Sequence, residues 1–414
     1  MKKITDQIRY FAQLLLYPVF LLSALFPRDK KLWVFGSTFG RRFADNPRYL
    51  FLYASSLAKE TGINCVWITR DRAVVSLLER QGLKVCLYPS LKAYLTCLRA
   101  GVYIYDNYSK DISFPLSGGA LRVNLWHGVG NKRINHDNIH DRFRNPRNLA
   151  ERLYAIPRTI SDEKPEDYVL CTSAEMGRYF ARAFRCPGDH VLCEGYPRCD
   201  ALFARNASRL LGVMTGDEKR LVRELVNLKR KGSRILLYLP TFRESEKMLE
   251  DVMDWETFGA WLKDRDYVFA AKPHPKSKAV GILEKAACKE ENVLLIPAEA
   301  DVYTFLGLGD MLVTDYSSVY TDYMLLERPV AAFIYDSREY EINSRDYFID
   351  QRQYMPELCA ETMEELMEVT DSVMEKDEKL EDRLRSRERL FDIADGGACG
   401  RVYERIRRLA DDKP

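Results

Sequence analysis

The chain has 414 residues, 46% of them hydrophobic, and 63 basic against 61 acidic side chains for a formal charge of +2. That length exceeds one ordinary core and predicts two domains, while the near-neutral balance excludes a broad basic field of the kind nucleic acid requires. The ten cysteines form no Cys-x-x-Cys pair, which removes zinc and redox motifs, and their single placement in apolar runs (Cys65, Cys86, Cys171, Cys193) fits a reducing, cytosolic compartment.

Taken in chain order, the first predicted element is an apolar segment from Tyr10 to Phe26, interrupted only by Gln13, Pro18 and Ser23. It sits at the short limit for spanning a bilayer. Cations flank both ends (Lys2, Lys3 and Arg9; Arg28, Lys30 and Lys31), which suits a helix lying in the interface of an anionic leaflet. A single span is the alternative, and a cleaved signal peptide and a buried core helix are the competing readings.

From residue 32, short β-branched or aromatic runs alternate with longer helical stretches, as βαβ units do. Strands are predicted over 32–37, 64–69, 84–88, 102–106, 122–126, 168–172 and 190–194. A charged helical region over 200–232 follows, with Leu210, Leu211, Leu221, Leu225 and Leu228 as its buried stripe. The alternation restarts over 234–239, 267–271, 292–297, 311–314 and 330–335. The stretch 361–408 is charge-dense and helical, broken at Gly396-Gly397. The expected fold class is therefore α/β, two doubly wound Rossmann-type domains facing across a cleft, which is the default ligand site. The boundaries read as 1–31 for the membrane-associating segment, 32–200, 201–395, and a C-terminal helix over 396–414 that crosses back to the first domain.

The chemistry sits at predicted strand ends. Asn124-Leu125-Trp126-His127-Gly128 delivers an imidazole, a general base near neutral pH, beside a glycine that lets a substrate approach the backbone. A loop histidine with no task is the competing reading. In Lys272-Pro273-His274-Pro275 the prolines fix the turn around a second histidine, which with Lys272 can hold a diphosphate; an ordinary X-Pro turn is the alternative. Pro240-Thr241-Phe242-Arg243 delivers a hydroxyl and a guanidinium suited to phosphate, although a helix cap and a surface charge would read the same. In Thr314-Asp315-Tyr316-Ser317-Ser318, a helix beginning near Ser317 would offer hydroxyls and backbone N–H groups to an anion, with Asp322 on the same face as Ser318; simple capping is compatible with this. The cations Lys132, Arg133, Arg142 and Arg144 follow His127 and are read as an acceptor or lipid-headgroup patch, against a solvated helix face. The expectation that ties these together is two imidazoles, one from each domain, meeting over a shared anion pocket.

Read as a set, with Gly195-Tyr196-Pro197-Arg198 and the early Phe35-Gly36 and Asp45-Asn46-Pro47, these motifs resemble the CDP-glycerol glycerophosphotransferase family of teichoic-acid synthesis over most of residues 32–400. The resemblance implies a GT-B-like pair of domains and a peripheral enzyme on the cytoplasmic face of the membrane. It implies transfer of glycerol phosphate or ribitol phosphate from CDP-glycerol or CDP-ribitol to an undecaprenyl-diphosphate-linked glycan, with release of CMP. By the same resemblance His127 is the base, and His274, Arg243, Ser317 and Ser318 hold the donor diphosphate. No metal or other cofactor is required, although Asp315 and Asp322 leave room for magnesium. Long polymerising members carry a larger N-terminal region than this chain. A GT-B glycosyltransferase using a nucleotide sugar, and a membrane scaffold without activity, are the other two readings.

Overall fold

Runs of apolar residues form two wholly parallel sheets in the computed structural model, which describes residues 14–162, 166–203, 212–241, 247–274, 277–335 and 347–413. The first sheet comprises β1 (Asp29–Phe35), β2 (Asn64–Thr69), β3 (Val85–Leu87), β4 (Ala100–Tyr105), β5 (Leu121–Asn124), β6 (Tyr168–Cys171) and β7 (Val191–Cys193), in the order β3-β2-β1-β4-β5-β6-β7. Parallel strands are covered by helices on both faces, so their sequences are apolar without alternation. All six residues of β4 are buried, as are Leu32 to Phe35 of β1.

The second sheet comprises β8 (Arg234–Tyr238), β9 (Tyr267–Ala271), β10 (Val293–Leu295), β11 (Met311–Thr314), β12 (Val330–Phe333) and β13 (Cys359–Ala360), ordered β10-β9-β8-β11-β12-β13. Its core gathers Leu236, Tyr238, Phe269, Val313 and Phe333. Both orders reverse direction beside their first strand, between β1 and β4 and between β8 and β11. Such a reversal opens a crevice at the carboxyl ends of those strands. Predicted and observed strands agree to within three residues at their ends, and the two-residue edge strand β13 has no run long enough to announce it.

The chain divides into two compact units: residues 1–127, 133–213 and 391–414 form the first, residues 128–132 and 214–390 the second. The sequence boundaries placed Gly128–Lys132 in the first domain. These residues belong to unit 2 because their backbone is bonded there: Thr321 Oγ1 donates to the Val129 carbonyl at 3.1 Å and Phe348 N to the Asn131 carbonyl at 2.9 Å. In unit 1 the helix Ala398–Asp412 presents Val402, Tyr403 and Ile406 to the core, with the Tyr403 ring 5.4 Å from that of Trp33. The Asp200 carboxylate accepts from the backbone N–H groups of Ala398 and Cys399 at 2.9 and 2.8 Å, a side-chain cap on that helix.

Of the apolar segment expected to associate with a membrane, residues 14–23 are helical and residues 10–13 lie outside the described residues. Among the described residues no helix is long and apolar enough to cross a membrane. This one docks on unit 1 through Phe20, stacked 4.8 Å from Phe114, and through Ser23, whose hydroxyl accepts from Gly118 N at 3.0 Å. Arg28 secures it by donating to the carbonyls of Ser23, Cys97 and Leu116. Leu15, Leu21, Leu22, Leu25 and Phe26 remain exposed, as do Leu149, Leu153 and Tyr154 on the helix Leu149–Asp162.

Candidate active site

In unit 1 the chain leaves β5 through a kink that no β-strand could continue. Trp126 has φ 51°, a left-handed conformation costly for a bulky residue, and Gly128 has φ 148°. Three side chains hold the kink. The Asn124 carboxamide oxygen accepts from Trp126 N at 2.8 Å, Asn46 Nδ2 donates to the carbonyls of Leu125 and Trp126 at 3.2 and 2.9 Å, and Arg198 Nη1 donates to the His127 carbonyl at 2.9 Å. His127 is exposed at this edge, its ring 4.0 Å from that of Trp126.

His127 Nδ1 lies 3.0 Å from the Asp106 carbonyl oxygen. A carbonyl only accepts, so Nδ1 carries the hydrogen and Nε2 keeps its lone pair. Desolvation by the surrounding protein is the largest influence on the ring and holds its pKa below the ordinary 6.5, with the Arg198 cation acting in the same direction and Asp45 against it. The imidazole is therefore neutral at pH 7 and able to take a proton.

Asp106 follows β4 at the strand-order reversal. Its carboxylate accepts from Ser37 Oγ at 2.6 Å, after β1, and from Asn107 Nδ2 at 2.8 Å, while Asp111 accepts from the backbone of Phe39 and Asn107 at 2.6 and 2.9 Å. Burial pushes both carboxyls up, and for Asp106 the nearby Asp111 charge adds to the effect. Gly36 is required here: a Cβ would sit 2.7 Å from Ile112 Cγ1 and 2.8 Å from the Asp111 carbonyl oxygen. The loops after β1 and β4 are thus drawn together beneath His127.

Asn124 also donates to Glu166 Oε1 at 3.3 Å, and burial pushes that carboxyl up to about 7. A carboxyl with a raised folded-state pKa contributes stability below its unfolded pKa, near 4.5, and loses it as pH rises through 7. Glu166→Gln keeps the acceptor and removes the charge. It is expected to raise unfolding stability at pH 8 by about 2–3 kcal/mol and to change it little at pH 4.5, a difference that urea titrations at the two pH values measure.

In unit 2 the predicted donor residues fall on the ends of three neighbouring strands. After β8, Thr241 donates its backbone N–H to both Asp315 oxygens at 2.8 and 3.0 Å and its hydroxyl to Oδ1 at 2.7 Å, so the motif after β8 and the motif after β11 are one structure. After β9, Lys272 Nζ donates to the Ala298 carbonyl at 2.9 Å, Pro273 is buried, and His274 is exposed. After β11, Ser317 and Ser318 precede the short helix Val319–Tyr323. Ser318 stands at the cap position, makes no side-chain capping bond and is exposed. Arg243 lies outside the described residues.

Asp322 is fully buried and accepts from the Tyr303 hydroxyl, and Asp315 is buried against Thr241. The two carboxylates that leave room for magnesium in the sequence are thus inward-facing acceptors, a poor fit to a metal-phosphate site. Among the described residues no group of three or more His, Cys, Asp or Glu is placed to hold a metal ion. Behind the Ser317-Ser318 turn, Tyr320 donates to Glu357 Oε1 at 2.9 Å, and Glu357 Oε2 is 2.7 Å from Arg383 Nη1, which is fully buried and also paired with Asp377.

The basic stretch after His127 is divided between the two units, Lys132 in unit 2 and Arg133, Arg142 and Arg144 in unit 1. Lys132 forms an antiparallel bridge with Tyr347 and holds its ammonium 5.7 Å from the centre of the Tyr316 ring, within unit 2. Arg144 is paired internally, with Asp141 at 2.6 Å and the Tyr108 hydroxyl at 2.6 Å. Arg133 and Arg142 are half-buried in unit 1.

The model of the family described as CDP-Glycerol:Poly(glycerophosphate) glycerophosphotransferase matches residues 18–408. The chain is 24% identical over 357 residues to a teichoic acid poly(glycerol phosphate) polymerase of Bacillus spizizenii, covering 84% of this chain and 85% of the relative. It is 24% identical to a teichoic acid glycerol-phosphate transferase of Staphylococcus aureus, over 97% of this chain and 99% of that protein. The solved structure of the wall teichoic acid polymerase TagF superposes with a TM-score of 0.72 at 19% identity, covering 99% of this chain and 97% of that one, a likeness of fold.

Proposed function

Because this chain belongs to the CDP-glycerol:poly(glycerophosphate) glycerophosphotransferase family, and so is a transferase of teichoic-acid biosynthesis, we propose that it moves glycerol phosphate, or a related polyol phosphate, from a CDP-activated donor to a hydroxyl of a lipid-linked cell-wall or capsular precursor. His127 Nε2 takes the proton of the acceptor hydroxyl. The freed oxygen attacks the phosphorus that carries the polyol, the bond from that phosphorus to the bridging oxygen breaks, and CMP leaves with the electron pair. The supporting observation is the fixed tautomer of His127, its Nδ1 hydrogen committed to the Asp106 carbonyl and its Nε2 basic at an exposed strand end.

Lys272, His274, Arg243, Ser317 and Ser318 hold the donor diphosphate and oppose the charge that gathers on the leaving CMP. Phosphoryl transfer needs such positioning and charge stabilisation more than covalent help, and this reading asks for no metal. The enzyme works on the cytoplasmic face of the membrane as a peripheral protein. Exposed Leu15, Leu21, Leu22, Leu25 and Phe26, with Leu149, Leu153 and Tyr154 beside the exposed Arg147 and Arg152, support attachment by helices lying on an anionic leaflet.

The test is product analysis with purified protein, CDP-glycerol, CDP-ribitol, UDP-sugars and a lipid-linked disaccharide. CMP together with a product heavier by one or more polyol phosphates is the expected outcome. A nucleoside diphosphate from a UDP-sugar would mark a glycosyltransferase, and absence of thermal stabilisation by every nucleotide would mark a scaffold. His274→Ala is expected to lower turnover by about 10²- to 10³-fold, as loss of one charge-stabilising donor does elsewhere; initial rates of CMP release check it, and unchanged rates would remove His274 from the donor site.

A further inference from the structure

Two sequence motifs, Asp45-Asn46-Pro47 and Gly195-Tyr196-Pro197-Arg198, carry no role in the chemistry above, yet the fold brings them to one place. The helix Asp45–Ser56 begins with Asp45 at φ 60°, its carboxylate bonded to its neighbour's N–H at 2.7 Å, and Pro47 occupies its first turn, where no amide donor is missed. After β7, Gly195 takes φ 82°, which favours glycine. Pro197 then opens a short 3-10 turn, Pro197–Leu202. That turn carries Arg198 inward, where it is 3% exposed and stacked over the Tyr196 ring at 5.0 Å.

Arg198 Nη1 is 2.8 Å from Asp45 Oδ1 and 2.9 Å from the His127 carbonyl oxygen, and Arg198 N donates to Asn46 Oδ1 at 3.2 Å. The same Asn46 side chain donates through Nδ2 to the carbonyls of Leu125 and Trp126. A single carboxamide and a single guanidinium therefore span the backbone on both sides of the left-handed Trp126. One strained residue with bonds to the peptides before, at and after it is over-determined, the condition under which such a conformation persists at functional sites.

We infer that Arg198, seated by Asp45, and Asn46 are positioning residues of the transfer reaction: together they lock the Trp126 kink so that His127 Nε2 stays aimed at the acceptor hydroxyl. The inference rests on the reading of His127 as the base. Arg198 acts on the reaction through the His127 backbone and through its charge. The charged groups acting on His127 are Asp45 at the start of its helix, Asp111 after β4 and Arg198 after β7, while Asp106 meets the ring through its backbone carbonyl.

The test compares Arg198→Met, Arg198→Lys, Asp45→Asn and Asn46→Ala in the full chain, by kcat and donor KM for CMP release and by the pH dependence of kcat/KM. Arg198→Met is expected to lower kcat by about 10²-fold, the cost of a misplacement of about 1 Å, with donor KM nearly unchanged. Its acidic limb should move up by on the order of one pH unit, because a cation that opposes protonation of His127 is gone. Arg198→Lys restores the charge on a side chain one bond shorter than the reach of Nη1 to the Asp45 carboxylate and the His127 carbonyl, so its acidic limb returns to the parental position while kcat stays low. Asp45→Asn moves the limb down, and Asn46→Ala lowers kcat without moving it.

Parental kcat and pH profile in folded Arg198→Met overturn the inference. A fall in kcat matched by a rise in donor KM, with no pH displacement, also overturns it, since that is the signature of a donor ligand. If Arg198→Met does not fold, Asp45→Asn and Asn46→Ala decide: parental kcat in Asn46→Ala together with an unmoved limb in Asp45→Asn sinks the clamp. Activity in His127→Ala would instead remove the base itself, so the two failures are told apart.

Discussion

His127→Ala is expected to lower CMP release by about 10²- to 10⁴-fold, the range that a positioned general base supplies, while circular dichroism and the melting temperature stay near those of the parent. His127→Asn sharpens the test, because a carboxamide can still donate to the Asp106 carbonyl that now receives the Nδ1 hydrogen. The pH profile follows from the direction of the shift. Desolvation by the surrounding protein holds the His127 pKa below 6.5, so kcat/KM should stay level from pH 8 to 6.5 and decline only at lower pH, where the ring protonates. The same depression makes a contribution to stability that is present above 6.5 and lost as pH falls through the folded-state value. Full activity in His127→Ala would defeat the assignment.

The second large effect concerns stability. Arg383 is fully buried and paired with Glu357 at 2.7 Å and with Asp377, and Glu357 accepts from Tyr320. Removing one member of a buried ion pair strands the other, so Arg383→Met should destabilise unit 2 by about 3–5 kcal/mol, read as a shift in its urea transition. Burial already pushes the Glu357 carboxyl up to about 7 with the arginine in place. Without Arg383 it rises further, so the loss should be large at pH 8 and smaller at pH 5, where Glu357 is neutral. A loss that does not depend on pH would mean that packing of the arginine stem, and not the stranded carboxylate, sets the cost. Tyr320 lies two residues beyond Ser318, so the variant should also weaken donor binding, seen as a higher donor KM.

Much of this was legible in the chain because strands buried on both faces must be apolar throughout, which made twelve of the thirteen strands among the described residues visible as runs bounded by turns. His127, His274, Thr241 and Ser318 were legible for the same reason: each follows such a run. Their supports were not. The carbonyl that fixes the His127 tautomer is 21 residues away, the arginine that holds its backbone 71, and the asparagine that braces Trp126 is 80. Local spacing carries no information about pairings at that range. Thr241 and Asp315 looked like parts of two motifs and are bonded to each other, and Lys132 looked like the start of a basic run and stands beside Tyr316.

The capped C-terminal helix has a consequence for biosynthesis. Unit 2 is complete in sequence at Leu390, whereas unit 1 still awaits Phe391 onward. On the ribosome unit 2 has all its residues first, reversing the usual order in which amino-terminal domains mature ahead of later ones. Until translation reaches Tyr403, Trp33 and Tyr53 lack the ring they pack against, and the Asp200 carboxylate lacks the amides it caps. The half carrying His127 is therefore the last to be finished.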